Sequence, residues 1–80
     1  MPTVKEAVLG YINERISPDF KPLEDHSLVG DLNLDSLDIV ELAMHLEDSL
    51  GIVLDDEEGF RKAETLGDLI SFVRRKTGLE

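Results

Sequence analysis

Ser36 is the residue of this sequence whose hydroxyl is best placed for chemistry. It follows Asp35 and stands two residues before Asp38, where a loop gives way to a segment with apolar periodicity. Asp35 has the side chain of a helix N-cap, and Asp38 falls in the first turn, where the helix dipole favours a carboxylate. We therefore predict that Ser36 is the first residue of a helix, at an exposed corner. A phosphodiester on its hydroxyl would meet the positive end of that helix.

The surroundings of Ser36 argue against a catalytic serine. A nucleophilic serine needs a base that takes its proton, and the neighbouring ionisable residues are carboxylates. The only histidines are His26, in a predicted loop, and His45, nine residues along the predicted helix and about 13 Å away at the usual rise. We therefore expect no catalytic residues. The alternative for Ser36 itself is a tolerated polar residue beside a cap.

The predicted helix after Ser36 carries two apolar stripes. At about 100° per residue, one stripe is the usual core face, and the other lies on nearly the opposite side. Carboxylates border the second stripe, which is typical of a docking face for basic partners. A helix buried on all sides is the alternative, but it would bury these acids. The core stripe comprises Ile39, Leu42, Ala43, Leu46 and Leu50; the second comprises Leu37, Val40 and Met44, with Glu41, Glu47 and Asp48 around it.

Acidic residues dominate the region around Ser36. The 80-residue chain has a formal net charge of −10, and between Leu23 and Phe60 it contains no Lys or Arg. Nucleic acid is not expected as a partner, because its phosphate backbone attracts the opposite charge. We expect enzymes with basic surfaces as partners, and their association should weaken as salt rises. A merely solubilising surface explains the charge equally well.

The whole chain predicts one small domain over residues 1–80. Its length allows a modest core, and it contains no cysteine that could reinforce the fold. The first residues lack the apolar region of a signal peptide, and no apolar run approaches the length that spans a membrane. We therefore expect a cytoplasmic monomer without membrane insertion.

Helices are also predicted near both ends of the chain. Thr3 and Glu6 form a capping box that opens the first helix, which runs to about Ile16. Thr65 and Asp68 form a similar pair that opens the last helix. The buried stripe of the last helix is predicted to be Leu66, Leu69, Ile70 and Val73, with Gly78 as its end.

Two connections flank the helix of Ser36. Residues 17–34 contain two prolines and are predicted to form a long loop. A loop of this length is either functional or packed against the rest of the domain. Its predicted anchors are Phe20, Leu23, Leu28 and Leu32. On the other side, Gly51 is the predicted C-cap, and residues 52–54 are read as a buried connector. A brief helix should follow, capped by Asp55 or Asp56, anchored by Phe60 and ending at about Arg61.

A calcium loop is the competing interpretation of the acidic residues before the helix. Asp31, Asn33 and Asp35 match the first, third and fifth ligands of an EF-hand. The match fails at Ser36, where the loop needs glycine, and at Leu42, where it needs a bidentate glutamate. We predict no metal site, and loose divalent-cation binding by the acidic clusters is the remaining alternative.

Taken together, these residues resemble the acyl carrier protein family. The resemblance rests on Asp35, Ser36 and Leu37, followed by Asp38 and an acidic and apolar helix, and it extends over nearly the whole chain. It implies an all-α four-helix bundle with three main helices and a short third helix. It also implies a carrier and not an enzyme, with 4′-phosphopantetheine attached covalently to Ser36 by a phosphopantetheinyl transferase that uses coenzyme A. Asp35, Leu37 and Asp38 would then shape the attachment site.

The resemblance also implies a function for each face of the helix that follows Ser36. Acyl groups would be held as thioesters and delivered to acyl-transferring and condensing enzymes of fatty acid biosynthesis or a specialised route such as polyketide assembly. The partner surface would be Leu37, Val40, Glu41, Met44, Glu47 and Asp48. The acyl pocket would be lined by Ile39, Leu42, Ala43, Leu46, Leu54 and Phe60. The sequence departs from the family at Asp55, where proline is usual, and at residues 59–63, which look shifted.

Two alternatives to this function remain open. An aminoacyl or peptidyl carrier, including a D-alanyl carrier, would share the bundle and the serine, although most such domains have a Gly-Gly-x-Ser context. An acidic helical adaptor with weak divalent-cation binding would lack the phosphopantetheine arm altogether.

Overall fold

Four helices make up the fold. The computed structural model describes residues 3–54 and 57–80, and within these ranges it contains no β-strand. The helices are α1 (Val4–Arg15), α2 (Ser36–Leu50), α3 (Glu57–Arg61) and α4 (Leu66–Thr77). α1 packs against α2 and α4, and the short α3 contacts α2 and α4. The predicted helical bundle with one short third helix is confirmed. None of the described helices has the length and apolar character needed to cross a membrane.

Reciprocal capping boxes begin the three long helices. In each box the N-cap side chain accepts the N–H of the third helical residue, whose carboxylate accepts the N–H of the cap. The pairs are Thr3 with Glu6, Asp35 with Asp38, and Thr65 with Asp68. Gly51 and Gly78 end α2 and α4 with φ angles of 64° and 74°, as the C-cap predictions require. The sequence therefore determines where these helices begin and end through local hydrogen bonds.

One hydrophobic core lies between the helices. The predicted stripe of α4 is buried in full. On α2, four of the five predicted core residues are buried, and Ala43 is partly buried against the same core. Because Leu37 and Met44 of the second stripe are exposed, the alternative of a helix buried on all sides is wrong.

The long loop before α2 is held down by side chains and backbone. Leu28 and Leu32 are buried as predicted, and Phe20 packs partly buried against the core. Leu23 is 59% exposed, so its predicted role as an anchor is wrong. Its backbone N–H donates to Nδ1 of His26 at 3.0 Å, and its carbonyl accepts the N–H of His26, in a turn that leaves the leucine side chain outside.

The loop is also hydrogen-bonded to the start of α4. The N–H of Leu28 donates to the carbonyl of Glu64 at 2.9 Å, and the N–H of Leu66 donates to the carbonyl of His26 at 3.0 Å. The N–H of Gly67 donates to the carbonyl of Glu24 at 2.8 Å. These three bonds satisfy backbone groups that a packed loop would otherwise leave unpaired.

The connector after α2 is buried only in part. Leu54 is buried and Ile52 packs against the core, but Val53 is 73% exposed, because successive residues of an extended segment face opposite sides. The predicted end of α3 at Arg61 and its anchor Phe60, which is 3% exposed, are both confirmed. The predicted caps Asp55 and Asp56, and the departure from the family at Asp55, lie outside the described residues.

Candidate functional site

Ser36 is the first residue of α2, and its side chain is exposed. On either side of it, Oδ1 of Asp35 accepts the N–H of Asp38 at 2.9 Å, and Oδ2 of Asp38 accepts the N–H of Asp35 at 3.1 Å. Both flanking carboxylates are therefore bonded into the turn that carries the serine. The Ser36 hydroxyl forms no hydrogen bond within residues 3–54 and 57–80. The hydroxyl is therefore accessible from solvent.

Neither histidine forms a catalytic pair with Ser36. His26 accepts the N–H of Leu23, and its ring stacks on Phe20 with centroids 6.2 Å apart. His45 lies 3.4 Å from the hydroxyl of Ser49 through Nε2. Since a serine nucleophile needs a hydrogen-bonded base, neither histidine is placed to activate Ser36.

Asp38 is the one buried charged residue in the described part of the chain, with its side chain 8% exposed. Its Oδ1 accepts a hydrogen bond from Nε of Arg15 at 2.9 Å, and the Arg15 side chain is 51% exposed. The bonds from Arg15 and from the N–H of Asp35 hold the pKa of Asp38 below its usual value, and the same ion pair raises the pKa of Arg15. Asp38 is therefore a buried, ionised carboxylate that stabilises the turn at Ser36.

Tyr11 adds a second link between α1 and this end of α2. Its hydroxyl lies 3.3 Å from the backbone carbonyl oxygen of Asp38 and 3.2 Å from Oε2 of Glu41, and it donates its proton to one of these acceptors. Burial, together with the hydrogen bond and negative charge of Glu41, raises the pKa of Tyr11 to about 12. Sequence analysis missed the roles of Tyr11 and Arg15. Their four-residue spacing, which places them on one face of α1, is the signal that could have found them.

The predicted partner surface lies on the outer side of α2. Leu37 is 66% exposed and Met44 is 59% exposed, whereas Val40 is half-buried. Glu41 and Asp48 are exposed. Glu47 is half-buried, and its Oε2 accepts the N–H of Leu54 at 3.0 Å, so this carboxylate also holds the connector after α2.

A cavity of about 60 Å³ lies between α2 and the segment that contains α3. It includes four of the predicted pocket residues, namely Ile39, Ala43, Leu54 and Phe60, together with Val40, Met44, Glu47 and Arg61. Leu42 and Leu46 do not line this cavity. Both are fully buried, because their positions on α2 turn them into the main core and away from α3.

The residues considered for a calcium loop have other partners. Oδ2 of Asp31 accepts the N–H of Ser27 at 2.8 Å, and Asp35 caps α2. Asn33 has a φ of 56°, in the left-handed region that asparagine tolerates. Across the ranges that the structure describes, no three acidic, histidine or cysteine side chains are grouped as a metal site requires.

Comparison with known proteins agrees with this arrangement. A family model described as the phosphopantetheine attachment site matches residues 6–73. An acyl carrier protein of Thermotoga maritima is 36% identical over 72 residues, which cover 89% of this chain and 88% of that protein. A solved structure of a candidate acyl carrier protein from Mycobacterium tuberculosis matches with a TM-score of 0.78 and 27% identity, over 91% of this chain and 97% of that one.

The fold, the exposed serine and these matches define a phosphopantetheine-dependent carrier. The chain belongs to the acyl carrier protein family. Members of this family carry acyl groups on 4′-phosphopantetheine and are carriers, not catalysts.

Proposed function

We propose that Ser36 is the residue that carries 4′-phosphopantetheine and that a phosphopantetheinyl transferase attaches it. The observation that carries the proposal is the exposed Ser36 hydroxyl at the first residue of α2, with no competing hydrogen bond in the described part of the chain. A phosphodiester suits this position, because the N–H groups and dipole of a helix N-terminus favour an anion. The carboxylate of Asp35 occupies one of these groups, the N–H of Asp38, and the carboxylate of Asp38 is bonded to the N–H of Asp35, which precedes the helix.

The attached group supplies a thiol, which this chain lacks because it contains no cysteine, and a thiol can hold an acyl group as a thioester. The residues of the chain do the positioning. Asp35 and Asp38 fix the turn before and after Ser36, and Arg15 holds Asp38 in place from α1. We expect the transferase to supply the base, because neither His26 nor His45 is hydrogen-bonded to the serine.

We further propose that the outer side of α2 is the surface that enzymes contact. Leu37 and Met44 expose apolar area there, on one helix, that a partner can cover. Glu41 and Asp48 add exposed negative charge to the same helix. The partners are the transferase and the acyl-transferring and condensing enzymes of fatty acid biosynthesis or a specialised acyl route. Their surfaces should be basic, and we expect the encounter to take place in the cytoplasm.

Mass spectrometry tests the attachment directly. The purified chain is incubated with coenzyme A and a transferase of broad specificity, and we expect a mass gain of one phosphopantetheinyl group. Ser36→Ala should abolish the gain completely. Ser71→Ala is the matched control, because Ser71 is also an exposed helical serine, and this variant should gain the full mass. A gain that persists in Ser36→Ala, or no gain in the wild type, contradicts the proposal.

A further inference from the structure

The positive charge of this acidic chain is concentrated near its C-terminal end. Residues 61–80 contain five Lys or Arg and three Asp or Glu, so this segment has a formal charge of +2. Residues 1–60 contain three Lys or Arg and fifteen Asp or Glu, which gives −12. Because the positive segment includes all of α4, this helix and the acidic α2 should attract different partners.

The fold separates these two helices. In the described part of the chain, α1 and α3 each pack against both α2 and α4, whereas α2 and α4 do not pack against each other. The domain measures 27 × 26 × 20 Å. At physiological ionic strength the Debye length is about 8 Å, so charges on the far side of the domain are largely screened. A short ligand on the outer side of α4 therefore experiences mainly the charges of α4.

A shallow depression on the outer side of α4 is lined by Phe72, Arg75 and Lys76. Phe72 is half-buried, and its ring meets that of Phe60 edge-on, with centroids 6.2 Å apart. Arg75 and Lys76 are exposed, and Nε of Arg75 donates to the carbonyl of Ser71 at 3.4 Å. Arg75 forms no ion pair with any residue that the structure describes. The depression thus has an aromatic floor, held by packing, with positive charge at its edge.

Helix stability alone does not account for this set of residues. The dipole of a helix is equivalent to about half an elementary charge at its C-terminal end. The last turn of α4 carries Arg74, Arg75 and Lys76, whereas the longer α2 has no basic residue in its last turn. The dipole also gives no reason for an aromatic ring beside these charges. Arginine and aromatic side chains are enriched where proteins bind each other.

We propose that this face of α4 binds an acidic segment of a partner protein. An apolar side chain of the segment lies on Phe72, and its carboxylates pair with Arg75 and Lys76. A membrane surface fits less well, because it extends beyond the width of the domain and also meets the acidic residues, whereas a short segment meets only the depression. Since α2 stays uncovered, the carrier can contact a basic enzyme and this partner at the same time.

Titration with synthetic peptides, followed by nuclear magnetic resonance, tests the surface. The probe is the blocked peptide Glu-Asp-Leu-Phe-Glu-Asp, added to the full chain. We expect the backbone amide signals of Phe72, Arg75 and Lys76 to shift, those of Leu37 and Met44 to stay in place, and the affinity to fall as salt rises. A peptide with Ser in place of Leu and Phe should bind more weakly. A peptide with Gln and Asn in place of the acids should also bind more weakly.

Arg75→Glu should weaken binding of the acidic peptide by about fivefold or more, because it replaces attraction by repulsion. Lys21→Glu is the matched control. It makes the same change in net charge at an exposed loop residue outside the depression, so it should keep the affinity within about twofold of the wild type. Both variants should still gain the phosphopantetheinyl group, because neither changes the turn at Ser36.

Equal losses of affinity in Arg75→Glu and Lys21→Glu would show that the peptide responds only to net charge, and would overturn the proposal. Shifts that avoid α4, or equal binding of the three peptides, would overturn it too. Binding to vesicles of phosphatidylserine and phosphatidylcholine without binding to the acidic peptide would make the ligand a membrane and not a protein segment. A wild-type chain that gains no mass overturns the attachment at Ser36 alone, since the face of α4 does not depend on it.

Discussion

The two ends of α2 are held by different kinds of interaction. At its N-terminal end, an ion pair from Arg15 and a tyrosine hydroxyl join α2 to α1, and a capping box closes the turn. Towards its C-terminal end, α2 borders a cavity with mostly apolar walls, with the bond between Glu47 and the N–H of Leu54 beside it. The first region presents the proposed attachment residue, and the second would receive the cargo.

This difference predicts that the turn at Ser36 and the cavity respond to different kinds of change. Hydrogen bonds and ion pairs are directional, so the turn that carries Ser36 has one arrangement. Apolar contacts tolerate exchange of groups with similar volume, so the cavity wall can change without loss of the fold. We therefore expect the stability of the N-terminal end of α2 to depend on pH and on single polar atoms. The stability of the cavity end should depend on the volume of the side chains in the cavity wall.

Asp38→Asn should have the largest effect at the polar end. It removes the charge that Arg15 and the N–H of Asp35 stabilise, and we expect the free energy of unfolding to fall by about 1–3 kcal/mol at neutral pH. Because the pKa of Asp38 is lowered in the folded state, the stabilisation is complete above the unfolded value of about 3.9 and is lost as pH falls through the folded value. Denaturant unfolding at several pH values measures both effects.

The difference between Asp38→Asn and the wild type should therefore shrink below about pH 4. Phe60→Leu is the control at the cavity end, and its effect on unfolding should not change over the same pH range. The two substitutions should be additive in the double variant, because they share no partner. A constant effect of Asp38→Asn at all pH values would mean that the charge of Asp38 does not stabilise the fold, and strong coupling to Phe60 would mean that the two ends are not independent.

Tyr11→Phe should have a smaller effect. It removes a hydroxyl that bonds within α2, and we expect a loss of about 0.5–1.5 kcal/mol in the free energy of unfolding. Since the pKa of Tyr11 is raised to about 12, its contribution is present below the usual value of about 10 and is lost as pH rises through the folded value. Tyr11 is the only tyrosine, so the near-ultraviolet absorbance of tyrosinate reports its titration without overlap.

Glu41→Gln sharpens this measurement. Glu41 raises the pKa of Tyr11 through its charge and its hydrogen bond, so removal of the charge should bring the titration closer to the usual value. An unchanged titration curve would show that burial alone accounts for the shift.

Lys5→Ala should have the smallest effect. Nζ of Lys5 lies 3.6 Å from Oε2 of Glu24, but both side chains are about half-exposed. Exposed ion pairs contribute little, and we expect the free energy of unfolding to change by less than about 0.5 kcal/mol. Thermal unfolding at low and high salt provides the measurement. A loss as large as that of Asp38→Asn would show that burial does not distinguish the polar contacts that stabilise this fold.

Local sequence signals predicted much of this molecule. The capping pair of Thr65 and Asp68, the C-caps at Gly51 and Gly78, and the buried stripe of α4 all depend on residues close together in the chain. Ser36 at the start of α2 was predicted for the same reason.

What sequence reasoning could not supply depends on contacts between distant residues. Arg15 and Asp38 are 23 positions apart, and their ion pair exists only once α1 packs against α2. Likewise, only the position of α3 decides which residues of α2 border the cavity, and Leu42 is not among them. Leu23 was expected inside because it is apolar, and the turn at residues 23–26 places it outside.

The hydrogen bonds between the long loop and α4 restrict which residues can replace Gly67. The carbonyl oxygen of Glu24 accepts the N–H of Gly67 at 2.8 Å, so the two segments lie close together. A β-carbon added at Gly67 would lie 3.1 Å from that oxygen. A single methyl group on the fourth helix would therefore press on the segment that leads, through Leu28 and Leu32, to the serine. Residue 67 is far from Ser36 in sequence, yet a substitution there strains the loop that precedes α2 and changes no residue of the turn at Ser36.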